Sequence, residues 1–468
     1  MRKLLSLLII TILFAGCATE DSDFGIYAWD ARGHFDGDLG SYEFRWDTDR
    51  DRRWEEDVLH FAHSLLISHP LLRDQHVITW REFYAALGGG SWDWNPGAGV
   101  FYDETVKHEF LRNINDLILR IPELDDFAIL TGMSHSAAVL NDSHTVISLP
   151  AGGRLPMSFT RHFDDHSAYD HHYVASAYVG LGADIVNSRL LAINGICIDE
   201  ILDRMRPIFS FENEHAFRAR FGGTFINRNI LRHIGVIGDE DTVLLTFRRP
   251  DGHVFDIESF FVYWLHDAPL NTHRLDTNLW FAAARSAENY WHTRIPAERL
   301  MFVRFAACFE MPDRPSHEFW SEIVDILIDE GGMRTFIVDF RGNVGGYILE
   351  GFVGFLVWAE ENRELLGDVY IAVDTYTWSH GVTSAVLLRD AVGDAVIIGA
   401  PTAGSPNFFA GWRVLRLPNN GTTFTVSTGA VYTMPGYQGQ TLTPDIPILR
   451  TVHDFINHND PVIAYIRR

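Results

Sequence analysis

The chain has 468 residues, with 47% hydrophobic, 13% aromatic and 21% charged side chains. That is the composition of a folded protein with at least one large core, and it excludes a disordered chain and a small scaffold held by disulfides or metal. Its 38 Lys and Arg against 62 Asp and Glu leave a formal net charge of -24. No basic run offsets it, so the surface repels a phosphate backbone and nucleic acid is excluded as a partner.

Met1-Arg2-Lys3 is a positive start, and Leu4 to Phe14 follow as an apolar run. The run is too short to span a bilayer as a permanent helix and suits a secretion signal. Ala15-Gly16 then precedes Cys17. The segment resembles the bacterial lipobox, with Phe14 where Leu is usual, and this implies cleavage after residue 16 and a lipid on Cys17. Residues 1–16 are thus expected to be a lipoprotein signal peptide and 17–50, polar and rich in Asp and Gly, a tether. The implied location is outside the cytoplasm, anchored by lipid to a bacterial outer membrane or cell surface. An ordinary secreted chain in which Cys17 carries nothing is the alternative. Cys197 and Cys308 lie in apolar, strand-like runs and are expected to be buried and free, although a disulfide is allowed.

From Trp54 the apolar residues recur at helical spacing: Trp54, Val58, Phe61, Leu65 and Leu66, then Val106, Phe110, Ile114 and Leu117. Residues 51–155 are read as a helical N-terminal region, with Gly88 to Gly99 as a loop anchored by Trp92 and Trp94 in preference to a mobile flap. Residues 156–270 change to short strands and turns. A strand, an Asn194-Gly195 turn and a helix opening near Asp199 resemble the core of a PDZ domain, in which strand and helix form a peptide groove. A long helical stretch from Glu212 to Ile237 is expected as an insertion, which alters that groove.

A cluster of His162, Asp164, Asp165, His166, Asp170, His171 and His172 lies near two of these strands. It does not lie on a helix, where such a spacing would bring ligands to one face, and is read as a solvated loop rather than a metal site.

Residues 271–468 alternate strand and helix. The runs LMFVRFAAC, TFIVDF, DVYIAVD and AVIIGA are continuous apolar strands between amphipathic helices, the pattern of a parallel sheet covered on both faces. Parallel strands deliver functional groups at their C-terminal ends. Arg341 to Gly346, Thr375 to Gly381 and Pro401 to Asn407 stand at such ends.

In order and spacing these turns resemble the C-terminal processing, or tail-specific, peptidases and the related tricorn-type serine peptidases. Asp339 to Gly346 matches their D-L-R-x-N-x-G-G turn with Phe340 for Leu, Thr377 to Gly381 the T-x-S-x-[AGS] nucleophile turn, and Gly399 to Gly404 the G-x-P-T-x-G turn. Upstream, Asp142 to Thr145 matches D-x-H-T, and near the end Pro444 to Pro447 matches P-D-I-P. The resemblance implies an α/β fold. Its core would be a parallel-sheet ββα-spiral of the ClpP/crotonase-like kind, beside a helical N-terminal region and a PDZ-like α+β domain. It also implies a serine-type peptidase acting on unfolded or tail-exposed polypeptides, with no cofactor and no metal.

The chemistry of the residues agrees with those roles. Ser379 would be the nucleophile at a strand-to-helix turn, and the glycines at 345 and 346 with the amide of His380 an oxyanion hole. The tail-specific branch takes its base from a lysine after G-x-P-T-x-G, but Ser405-Pro406-Asn407 stands there. The tricorn-type branch uses an upstream histidine, often beside a serine, and Ser143-His144 fits that version; imidazole, with an ordinary pKa of about 6.5, suits general-base work near neutral pH. That branch orients its histidine with a glutamate, whose counterpart here is Gln438, so another carboxylate is a second option.

Competing readings remain at each position. Ser379 would serve equally as the N-cap of the following helix, and Asp142 to His144 as an Asx-turn. An α/β-hydrolase is disfavoured because the turn is not G-x-S-x-G and its histidine would have to be His453 or His458. The alternative from another class is a non-catalytic peptide- or ligand-binding lipoprotein that retains the fold.

Overall fold

Two amphipathic helices account for the N-terminal periodicity, α1 (Asp49–Ser68) and α2 (Glu104–Arg120), and a third, more uniformly apolar helix follows, α3 (Asp126–Ala138). The computed structural model describes residues 45–46, 48–73, 103–164, 167–222, 226–263, 270–272, 288–434, 436–437 and 439–468. The signal segment with Cys17, the Gly88 to Gly99 loop and Gln438 lie outside the described residues. By contacts the chain forms two units, one of Met1–Pro150, Pro207–Phe211 and Asn407–Pro435, the other of Ala151–Arg206, Glu212–Pro406 and Gly436–Arg468.

In the first unit each helix opens on an oxygen that satisfies orphan amides. Thr48 accepts from the Asp51 amide, Asp103 from Thr105 and Val106, and Asp125 from Ala128. The helices bury Trp54, Val58, Phe61, Phe110, Ile114 and Leu117 in one core with Phe424 and Val426, which arrive on a hairpin of Arg413–Arg416 and Thr423–Val426. Phe61 and Phe424 meet edge to face at 5.1 Å. A hairpin late in the chain thus completes the helical core, which gives a different partition from one drawn in sequence order at 155 and 270.

The second unit holds two larger sheets. The first is seven-stranded: β1 (Met157–His162), β2 (His171–Tyr178), β3 (Arg189–Ile193), β4 (Ile196–Cys197), β5 (Thr242–Arg248), β6 (Val254–Phe260) and β7 (Leu270–Thr272). Asn194 and Gly195 both take positive φ, 49° and 76°, in the two-residue turn between β3 and β4, as the Asn-Gly pair requires. Helix α4 (Ile198–Met205) follows at once.

The expected single helical stretch after Glu212 is instead two short helices among the described residues, α5 (Glu214–Arg220) and α6 (Arg228–His233). Each opens on its own asparagine cap, Asn213 bonded to the Ala216 amide and Asn227 to the Ile230 amide. Cys197 is exposed, not buried, because β4 has only two residues and ends where α4 begins; Cys308 is buried, and both are free.

Part of the histidine cluster departs from the expected solvated loop. His162 and His172 sit on paired strands, and with Asp170 they are buried. The Arg161 guanidinium, 3.1 Å from Asp170, neutralises the buried carboxylate.

The second sheet runs β8 (Tyr290–Ile295), β9 (Leu300–Phe305), β10 (Thr335–Asp339), β11 (Asp368–Val373), β12 (Val396–Gly399) and β13 (Ile446–Pro447) in sequential order. All pairs from β9 onward are parallel, and β8 closes one edge antiparallel. The crossovers carry α7 (Ser316–Asp329), α8 (Glu350–Glu361) and α9 (His380–Val392). Side chains of adjacent residues take opposite faces: Phe336 stacks on Phe355 of α8, whereas Phe302 and Ile337 pack with Ile463 of the last helix, α11 (Pro461–Ile466; α10 is Val452–Ile456). Both faces are covered, as continuous apolar strands require, and each fully buried aromatic contributes about 1.5–3 kcal/mol.

Candidate active site

β10, β11 and β12 are parallel neighbours, so the loops after them emerge side by side. Hydrogen bonds knit these loops together. The Gly342 amide donates to Asp374 Oδ1 at 2.8 Å, the Thr377 hydroxyl to Phe340 O at 3.0 Å, and the Trp378 amide to Asn343 O at 2.9 Å. From the other side the Gly404 amide donates to Thr377 O at 3.0 Å. The residues before Ser379 are therefore fixed by both neighbouring loops.

Ser379 itself has φ 51° and ψ -131°, a left-handed conformation that costs a non-glycine residue about 1–3 kcal/mol. It occupies the N-cap position of α9 but makes no side-chain capping bond, which removes the ordinary reason for a serine there. The residue is buried, at 6% exposure, where the N-terminus of a 13-residue helix presents partial positive charge.

The Asn343 to Gly346 turn lies against it. A Cβ on Gly345 would come within 2.7 Å of Ser379 Cβ and 3.0 Å of the His380 amide nitrogen, so only glycine fits, and its φ of 96° demands the same. Gly345 donates its own N–H to Asn343 Oδ1 at 2.8 Å, so its part is the space it leaves. Gly346, at φ 133°, is closed to a side chain by Cys308 O, 2.3 Å from where its Cβ would stand. Gly345, Gly346, His380 and Ser379 are thus brought together, all in the second unit.

Ser143 and His144 belong to the first unit and are buried. Asp142 does form the Asx-turn, its Oδ1 accepting the His144 amide at 2.9 Å, and the same oxygen stands 3.6 Å from His144 Nδ1. The imidazole stacks on Phe408 at 5.5 Å and 15°, and Thr425 Oγ1 donates to the His144 carbonyl at 2.6 Å. Asp142 Oδ2 accepts from Thr145 Oγ1 at 2.6 Å and faces His69 Nε2 at 3.2 Å. Burial alone would raise the Asp142 pKa, but hydrogen bonds with His144 and His69 outweigh it and hold the carboxyl well below the usual range.

His69 escapes sequence reading because it lies 73 residues from its partner, and His69-Pro70 looks only like a helix end. Contacts from three further residues to the nucleophile loop are equally hidden. Arg161 donates to Thr375 O and places its guanidinium 4.1 Å from the Tyr376 ring centre, and Asp170 accepts from the Thr375 hydroxyl at 2.8 Å. Glu212 Oε2 accepts the Trp378 indole N–H at 2.9 Å. Arg341, conspicuous in its motif, turns away to bind Asp339 and Asp460, each at 2.8–2.9 Å.

No protein-family model matches the chain, and no curated protein matches it by sequence. Similarity appears at the level of structure. Mature CPAF complexed with lactacystin superposes with TM-score 0.59 and 13% identity, over 90% of this chain and 98% of that one. Mature CPAF crystallised separately gives TM-score 0.55 and 12% identity, over 90% and 96%. The photosystem II D1 C-terminal processing protease is more distant, with TM-score 0.39 and 12% identity over 84% and 93%. What the chain shares with CPAF at such identities is the fold, a mixed α/β architecture of several sheets.

Proposed function

We propose that this chain is a serine-type peptidase of the histidine-dependent branch, hydrolysing unfolded or tail-exposed polypeptides through an acyl-enzyme on Ser379. The observation that carries the reading is the backbone of Ser379: strained, uncapped, at a helix N-terminus and in contact with a glycine turn. Strain of this kind persists only where the surroundings hold it, and a strand-to-helix nucleophile turn is one such place.

In the proposed mechanism Ser379 Oγ attacks the scissile carbonyl as His144 takes its proton, forming a tetrahedral oxyanion. The backbone N–H groups of Gly346 and His380 receive that charge. The imidazolium then returns its proton to the leaving amine, and water repeats the sequence to release the acyl group. Asp142, ionised and bonded to the His144 backbone, keeps the imidazole-bearing turn in shape; Ser143 adds a hydroxyl beside it, and Gln438 is the proposed orienting amide.

The same proposal includes a ClpP/crotonase-like core, supported by the sequential parallel order of β9 to β13, and a PDZ-like sheet, supported by the Asn194-Gly195 hairpin running into α4. It includes attachment to the outside of a bacterial membrane through Cys17, supported by the residues before it. The test is turnover of a reduced, alkylated polypeptide. The wild type should cleave it, and Ser379→Ala and His144→Ala should each lose nearly all activity, because nucleophile and base act as a unit. A folded wild type that binds the polypeptide without cleaving it would favour the non-catalytic binder.

A further inference from the structure

Glu212 and Asn213 open α5, in the insertion that the seven-stranded sheet carries between α4 and β5. Glu212 is 4% exposed, and a carboxylate so far from water is costly unless bonded. Its Oε2 accepts the Trp378 indole N–H at 2.9 Å, and Trp378 is the residue whose peptide bond leads into Ser379. Asn213 reaches the loop on the other side: its Nδ2 donates to Ala403 O at 2.8 Å and Gln440 O at 2.6 Å, while its Oδ1 caps α5. At the far end of the helix Arg220 sets its guanidinium 5.7 Å from the Trp378 ring centre. One inserted helix therefore holds both loops that flank Ser379.

We propose that Glu212 is a positioning residue for the nucleophile: its carboxylate anchors the Trp378 indole and, through that side chain, keeps the Ser379 backbone in the left-handed conformation needed for attack. The proposal rests on Ser379 being the nucleophile, and it adds a residue that no sequence motif contains. A strained φ relaxes unless several contacts over-determine it. The Trp378 backbone is bonded to Asn343 O, and the indole bond fixes the side chain as a second point. A hydrogen bond to a charged acceptor is strong enough to matter on the scale of about tenfold in rate.

The test is the second-order rate of labelling by a fluorophosphonate probe, together with kcat and KM on a reduced, alkylated polypeptide. Glu212→Ala and Trp378→Phe should each slow labelling by about tenfold, and the double variant by no more than either alone, because both break the same bond. Glu212→Gln, whose amide oxygen can accept the same N–H, should recover most of the rate. The losses should fall on kcat, with KM within about twofold. Should Glu212→Ala not fold, Trp378→Phe carries the test, since it leaves the carboxylate in place. Losses that multiply in the double variant, or wild-type labelling of both single variants, would overturn the proposal while leaving the nucleophile standing. A wild type that takes no label would remove the nucleophile and the proposal together.

Discussion

Gly345 and Ser379 are packed so closely that a Cβ on Gly345 would stand 3.1 Å from Ser379 Oγ as well as 2.7 Å from Ser379 Cβ. Gly345→Ala must therefore displace the serine or the turn, and it also meets the strain of φ 96°. The expected outcome is a folded protein destabilised by about 1–3 kcal/mol, with peptidase activity lost. Chemical denaturation beside an activity assay checks both halves; an active, undisturbed variant would contradict the packing.

The backbone of Ser379 supplies a second prediction that separates strain from chemistry. Ser379→Ala and Ser379→Gly both remove the hydroxyl and should both be inactive. Only glycine adopts φ 51° without strain. Ser379→Gly should therefore melt above Ser379→Ala, by the equivalent of about 1 kcal/mol once the extra freedom of glycine in the unfolded chain is discounted. Equal melting temperatures would mean that the backbone is relaxed there.

The strand ends and the turns after them were legible in the sequence, because continuous apolar runs and glycine-bearing motifs are local patterns. The Asn194-Gly195 turn was legible for the same reason. What was hidden depends on contacts between distant residues. His69 with Asp142, Arg161 with Thr375 and Glu212 with Trp378 join positions 73, 214 and 166 residues apart. At His162, Asp170 and His172 polarity suggested solvent, whereas all three are buried, Asp170 in a pair with Arg161. Arg341 shares a turn with the glycines at 345 and 346, yet its own bonds, to Asp339 and Asp460, are structural.

That structural role predicts a stability effect. Arg341 bridges Asp339, which is fully buried, and Asp460, which opens α11. Arg341→Met leaves two carboxylates short of a partner and should cost about 3–5 kcal/mol, the range seen when one member of a buried pair is removed. Thermal unfolding measures it. A variant as stable as the wild type would show that Arg304, 3.3 Å from Asp339, compensates alone.

Stability should also fall in mild acid, and for an identifiable reason. Burial, with help from the nearby Arg450, pushes His162 down to about 3, and burial pushes His172 down to about 4. A histidine held neutral in the fold takes up its proton first in the unfolded chain. Its stabilisation is therefore complete above about pH 6.5 and lost as pH falls toward the depressed value, by about 1.4 kcal/mol per pH unit for each histidine. Asp142 acts lower: ionised in the fold, it contributes fully above about pH 3.9 and loses that contribution only in stronger acid. Melting temperature should thus decline between about pH 6.5 and 4.5. His162→Phe, a ring placed between Phe455 and Tyr173, should flatten the decline, and Asp142→Asn should leave its slope unchanged. A flat wild-type profile would contradict the burial of these histidines.

The measurement that bears most directly on Ser379 as nucleophile is the site of covalent modification. The wild-type protein, treated with a fluorophosphonate and digested, should yield one modified peptide, with the added mass on Ser379. The Ser379→Ala variant should yield none. Denaturing the wild type before treatment should also abolish the modification, since the reactivity belongs to the folded turn. A label on another serine, or none on a folded wild type, would contradict the assignment.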